Sequence, residues 1–83
     1  MEEIKTKLRE LVQETLRDAG VAVDVTDDLS LVESGLLDSL SIISVVQKLQ
    51  HSFDIDVGVA DITVEVFDSI DAMAPFVAQR AGL

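Results

Sequence analysis

No cysteine occurs in this chain of 83 residues. So short a domain buries a modest share of its surface, and it is marginal unless a disulfide, a metal or a partner staples it. Without thiols there is no disulfide and no cysteine-ligated zinc or iron–sulfur centre, and the one histidine, His51, cannot build a histidine-rich metal site. What remains is an aliphatic core. Hydrophobic residues make up 48% of the chain, whereas acidic disordered chains are poor in aliphatics. One folded domain over residues 1–83 is therefore expected.

Sixteen acids against six bases give a net charge of −10. Phosphate binding wants a basic stripe and an anionic lipid surface repels acids, so neither nucleic acid nor a membrane surface is an expected partner. No apolar run approaches the roughly 18 residues of a membrane span. The start, Met1-Glu2-Glu3-Ile4-Lys5, lacks the basic and then long apolar regions of a signal peptide. A cytoplasmic monomer is the expectation, its charge serving to meet basic partner proteins or simply for solubility. The charge is uneven: residues 1–20 hold five acids and four bases, residues 21–83 eleven acids and two bases.

Ile4, Leu8, Leu11, Val12, Leu16 and Ala19 recur at helical spacing and share one side of a helix wheel. Glu2 and Glu3 suit the start of that helix, Arg17 its last turn, and Gly20 its stop. Val21-Ala22-Val23-Asp24-Val25 alternates like a strand, but no second strand exists to pair with it, so a loop is expected. That loop runs on to Asp38, with Leu29, Val32, Leu36 and Leu37 as anchors to the core. A second helix is expected over about 39–53, capped by Asp38. Ile42, Val45, Val46, Leu49 and Phe53 point one way on its wheel, and Leu40, Ile43 and Gln47 roughly the other. After a connection containing Gly58, Thr63 caps a short helix to about Phe67. A last helix to about Ala81, apolar at Ile70, Met73, Phe76 and Val77, starts at Ser69 or Asp71. Pro75 sits more easily if Asp71 is the cap, and a kink is expected if Ser69 is. The pattern is that of an all-α bundle of three main helices and one short one, with a long first loop.

Little in the chain suits catalysis. A nucleophile needs a base in reach, and His51 lies roughly 18 Å along the second helix from Ser39. The wheel puts His51 on the solvent side. A calcium loop of EF-hand type needs glycine at its sixth position and glutamate at its twelfth. Starting from Asp54 the sixth residue is Val59, and starting from Asp24 it is Leu29, so both fail.

The remaining constellation is Gly35-Leu36-Leu37-Asp38-Ser39-Leu40. It ends a loop, opens a helix, and sets a hydroxyl beside free N–H groups at the positive end of the helix dipole, where a phosphate is favoured. Taken alone, Asp-Ser before an apolar helix is an ordinary N-cap. The hexapeptide does not stand alone. With Asp28-Leu29 through Val32-Glu33, Phe53-Asp54-Ile55-Asp56-Val57 and Val66-Phe67-Asp68-Ser69-Ile70, in that order, the chain resembles the acyl carrier protein family from about Leu8 to Val77.

The resemblance implies a four-helix carrier with no catalysis of its own. In that family a phosphopantetheinyl transferase moves 4′-phosphopantetheine from coenzyme A onto the motif serine, here Ser39, and the thiol of the arm carries an acyl or aminoacyl group as a thioester. The missing cysteine then makes sense, because the working sulfur is imported. Asp38, Leu40, Ile43 and Gln47 are the expected recognition residues around Ser39, and an activating ligase, acyltransferase or synthase the further partners. Two departures stand out. The second helix contains no acid, unlike that of fatty-acid-synthesis carriers, and Gly58 stands where the family often has proline. A discrete carrier of a polyketide, nonribosomal peptide or ligase-loaded pathway is therefore expected. A D-alanyl or fatty-acid carrier is the alternative within the class. Outside it stands an acidic helical adaptor that binds through Leu40 and Ile43 without a prosthetic group.

Overall fold

The apolar periodicity is realised as four helices. The computed structural model describes residues 2–82; Met1 and Leu83, the ends of the expected domain, lie outside the described residues. Helix α1 spans Glu2–Asp18, α2 Ser39–Phe53, α3 Val64–Phe67 and α4 Ile70–Arg80, and a 3-10 turn at Val59–Asp61, not foreseen from the pattern, precedes α3. No strand occurs among the described residues. The fold is the expected all-α bundle, with three main helices, one short helix and a long first loop.

Helix α1 buries Ile4, Leu8, Leu11, Val12 and Leu16. Ala19, expected in the same stripe, is exposed, because the helix ends at Asp18 and its period stops there. The stop is Gly20, at φ +82°. Its N–H donates to the Arg17 carbonyl at 3.0 Å and the Val21 N–H to that of Leu16 at 2.8 Å, a closure that wants a left-handed residue. Residues 21–26 then run without regular structure. In place of a partner strand, the Gln13 side chain donates to the Val23 carbonyl and accepts from the Val25 N–H at 3.0 Å.

The loop anchors differ by one position from the sequence reading. Leu37 is buried as expected, but Val32, Leu29 and Leu36 are only half-buried; Leu31 and Val25 take the deep places. No helical or strand period operates in a loop, so spacing could not tell Leu31 from Val32. Helix α2 contributes Val45, Val46 and Leu49 to the core, with Ile42 and Phe53 half-buried at its margin. Ile55, just after α2, is also buried. Phe67 of α3 and Ile70, Met73, Ala74 and Val77 of α4 complete one continuous cluster. The rings of Phe67 and Phe76 meet edge-on with centroids 6.2 Å apart.

Each later helix has a side-chain cap. Thr63 accepts from the Val66 N–H at 3.3 Å, and Ser69, rather than Asp71, accepts from the Ala72 N–H at 3.0 Å. Pro75 therefore falls in the sixth residue of α4, where it removes the donor for the Asp71 carbonyl, yet the helix continues through it to Arg80. Asp71 instead pairs with Lys5 at 2.9 Å and gives its N–H to the Asp27 carbonyl at 2.9 Å. Lys48 crosses from α2 to α1, donating to Thr15 Oγ1 at 3.2 Å, with Asp18 at 3.5 Å and Glu14 at 3.6 Å.

Truncating a fully buried side chain in so small a core should cost a large share of its stability. Leu49→Ala and Phe67→Ala are each expected to lose about 2–5 kcal/mol, whereas Phe53→Ala, at the margin of the core, loses less. Chemical denaturation read by circular dichroism ranks the three; equal losses would contradict the core as described.

Candidate functional site

The site is the start of α2, and the loop before it sets where that start lies. Asp38 has extended backbone angles (φ −100°, ψ −175°), so the chain enters the helix abruptly at Ser39. The Asp38 carboxylate accepts the Ser41 N–H at 2.8 Å, and its carbonyl accepts the Ile42 N–H at 2.9 Å. Two of the first N–H groups of the helix are thereby satisfied. Those of Ser39 and Leu40 have no carbonyl one turn back to bond, as at any helix start. The hydrogen bond from the Ser41 backbone, above all, holds the Asp38 carboxyl below the usual aspartate range. The cap is thus ionised at neutral pH and adds its charge to the positive end of the helix.

Ser39 is exposed, with its hydroxyl at the first position of α2. Next to it Leu40 is 79% exposed, and one turn on Ile43 is 44% exposed. Gln47 is exposed too. Asp38 and Ser39 are thus exposed at the start of α2, beside the solvent-facing side that Leu40, Ile43 and Gln47 share, away from Val45, Val46 and Leu49. That side of Leu40, Ile43 and Gln47 follows from 100° per residue and was legible in the sequence. His51 is exposed and near the far end of α2, away from Ser39. Lys48, the one Lys or Arg of this helix, is turned onto α1 by its contacts with Thr15, Asp18 and Glu14. A shallow groove lined by Ala19, Asp18, Leu40, Ser41, Ser44 and Lys48 runs beside Leu40 between the two helices.

The sequence reading missed the fastening of the loop. Asp68, between α3 and α4, accepts the Ser30 hydroxyl at 2.7 Å and the Val32 N–H at 3.4 Å on its carboxylate, and its carbonyl accepts the Leu31 N–H at 2.6 Å. Leu37 then donates back to the Leu31 carbonyl at 2.9 Å, two residues before Ser39. Arg9 of α1 holds Asp27 at 2.7 Å at the other end of the same loop. The only trace of this in the sequence is a serine and an aspartate far apart in the chain, which no local pattern connects.

The arrangement offers an exposed hydroxyl at a helix N-terminus, beside a carboxylate engaged in capping the helix, and an apolar patch for a protein to cover. The family model described as the phosphopantetheine attachment site matches residues 6–77. Among curated proteins none matches the chain.

The lowered carboxyl of Asp38 has a consequence for pH. A depressed folded-state value stabilises α2 above the unfolded aspartate value, and the contribution is lost as pH falls through the folded one. Protection of the Ser41 amide, its exchange measured against an unstructured peptide at the same pH, should therefore be high at pH 6 and fall in acid below the ordinary aspartate range. In Asp38→Ala that protection should be low at every pH, and a Ser41 amide indifferent to this change would show that the cap does not hold it.

Proposed function

Because the chain belongs to the phosphopantetheine attachment site family, we propose that Ser39 is the residue that bears the group and that the chain is a cytoplasmic carrier of acyl or aminoacyl thioesters. Proteins of this family hold 4′-phosphopantetheine covalently and act as carriers, generally without catalysis of their own, in company with phosphopantetheinyl transferases and synthase or ligase enzymes. The single observation that supports Ser39 is its place: an exposed hydroxyl at the first residue of α2, capped by an ionised Asp38.

The residues present fit a phosphate ester. The Ser39 and Leu40 N–H groups and the helix dipole favour a phosphate at that hydroxyl. Exposure leaves Ser39 Oγ open, on a transferase, to attack the pantetheine-bearing phosphorus of coenzyme A, so that the new Oγ–P bond replaces the pyrophosphate bond and adenosine 3′,5′-bisphosphate leaves; His51 is too remote to take the serine proton. When bound, the group supplies a thiol on a long flexible arm, which holds the cargo as a thioester. Asp38 orients the start of the helix, and Leu40, Ile43 and Gln47 form the face a partner enzyme covers.

The acid-free outer face of α2 favours a specialised pathway over fatty-acid synthesis. Its exposed side chains include no acid, and its one lysine faces α1, so a partner that docks at Leu40 and Ile43 meets apolar surface with acidic loops around it. A polyketide, nonribosomal peptide or ligase-loaded pathway is the reading, and a D-alanyl carrier shares most of it.

Incubation with coenzyme A, magnesium and a promiscuous transferase should add the mass of one phosphopantetheine to the intact protein, and Ser39→Ala should gain nothing. Modification of the variant, or none of the wild type across several transferases, overturns the assignment and favours an adaptor without a prosthetic group.

Leu40→Glu and Ile43→Glu should fold with an unchanged circular dichroism spectrum, because both positions face solvent. Each should raise the transferase KM about tenfold, as expected for losing an apolar anchor at an interface. An unchanged KM for both would place docking elsewhere.

A further inference from the structure

The loop before Ser39 has no regular structure from Val21 to Asp38, yet the reaction at Ser39 requires its start to be in one place. Three tethers define that place. Asp27 is held by Arg9 through its carboxylate and by the Asp71 N–H through its carbonyl. Leu31 and Leu37 are buried, and the Leu37 N–H donates to the Leu31 carbonyl at 2.9 Å. Between them, Asp68 takes three donors from three consecutive residues, Ser30, Leu31 and Val32. The Ser30 hydroxyl oxygen is itself an acceptor for the Glu33 N–H at 3.2 Å, so the link continues toward Gly35 and the site. Asp68 lies at the junction of α3 and α4, far from Ser39 in sequence, and touches neither Ser39 nor Asp38 through any hydrogen bond among the described residues.

From this chain of contacts we infer that Asp68, acting through Ser30 and Val32, is a positioning residue for modification of Ser39. It restricts the loop to the arrangement in which the start of α2 can be engaged by a transferase. The inference rests on the reading of Ser39 as the attachment residue. Its physical content is a population: with the carboxylate removed, the loop samples other arrangements, and apparent affinity falls by the fraction that remains competent. The chemical step, which begins only from the competent arrangement, is unchanged.

The carbonyl of Asp68 is backbone and survives any substitution, so only the side-chain bonds are at stake. Asp68→Ala should raise the transferase KM for the apo-protein about fivefold, the factor expected from the net worth of one hydrogen bond, with kcat unchanged. Asp68→Asn keeps a carbonyl oxygen for Ser30 and Val32 and should restore a KM near the wild-type value. Ser30→Ala removes the Ser30–Asp68 contact from the other side; combined with Asp68→Ala it should add less than it costs alone, because the two changes share that interaction. It also keeps the test open should Asp68→Ala fail to fold.

A merely structural role is separated by Val12→Ala, which opens a cavity in the core at a side chain that makes none of the loop's hydrogen bonds and should leave KM unchanged at temperatures where the variant is folded. Independently of any modification, the amides of Val32 and Leu37 should exchange faster in Asp68→Ala than in Val12→Ala. If Asp68→Ala matches Val12→Ala in KM and in the exchange of these amides, the inference is overturned while the reading of Ser39 stands. If wild-type protein takes up no phosphopantetheine, the reading of Ser39 falls and this inference falls with it.

Discussion

A loop of some twenty residues in a domain this small is possible only if its backbone polar groups find partners, and in this protein side chains supply them. Buried or half-buried N–H and C=O groups without partners are costly, and the loop has no ladder to satisfy them. Gln13 serves the extended stretch at Val23 and Val25, and Asp68 serves Leu31 and Val32, through its carbonyl and its carboxylate respectively. The same device recurs after α2, where Gln50 accepts the Val57 N–H at 2.7 Å. Two glutamines of the long helices and one aspartate thus do the work that strands do in other folds. Gln13 and Asp68 fasten the loop that leads into Ser39.

The acidic surplus takes on a structural meaning beside its role in solubility. Asp27, Asp61 and Asp71 each bind a base, Arg9, Arg80 and Lys5, and Asp68 binds the loop. Arg80 also lies over the Phe76 ring at 5.0 Å and so ties the 3-10 turn to α4. Exposed pairs of this kind contribute little stability one by one. Their effect is geometric: they fix which segments lie against which helix. Three of the six bases are engaged in this way, and none of the acids lies on α2.

That division gives α2 two separate jobs. Val45, Val46 and Leu49 hold it in the core, while Leu40, Ile43 and Gln47 face solvent beside Ser39. An apolar patch left uncovered has a cost in solubility, and the surrounding negative charge offsets it. The cysteine-free composition fits the same picture. A carrier whose thiol arrives on phosphopantetheine has no need of a thiol of its own, and its core must be aliphatic and well packed to hold without a staple.

Much of this was open to reading from the residues in order. The stripes of α1 and α2, the caps at Asp38 and Thr63, the stop at Gly20 and the exposed place of Ser39 all follow from local rules: 100° per residue, a side-chain acceptor at a helix start, a left-handed glycine at its end. Where no local rule applied, the sequence left the matter open. The choice of Leu31 over Val32 as an anchor, of Ser69 over Asp71 as the cap of α4, and the clamp of Asp68 on Ser30 join residues that the chain brings together only after it has folded. Local periodicity determined which helices form and which face each presents, because those depend on neighbours within a turn. Tertiary packing alone decided how the long loop is held, because its partners lie on other helices and no spacing within the loop encodes them.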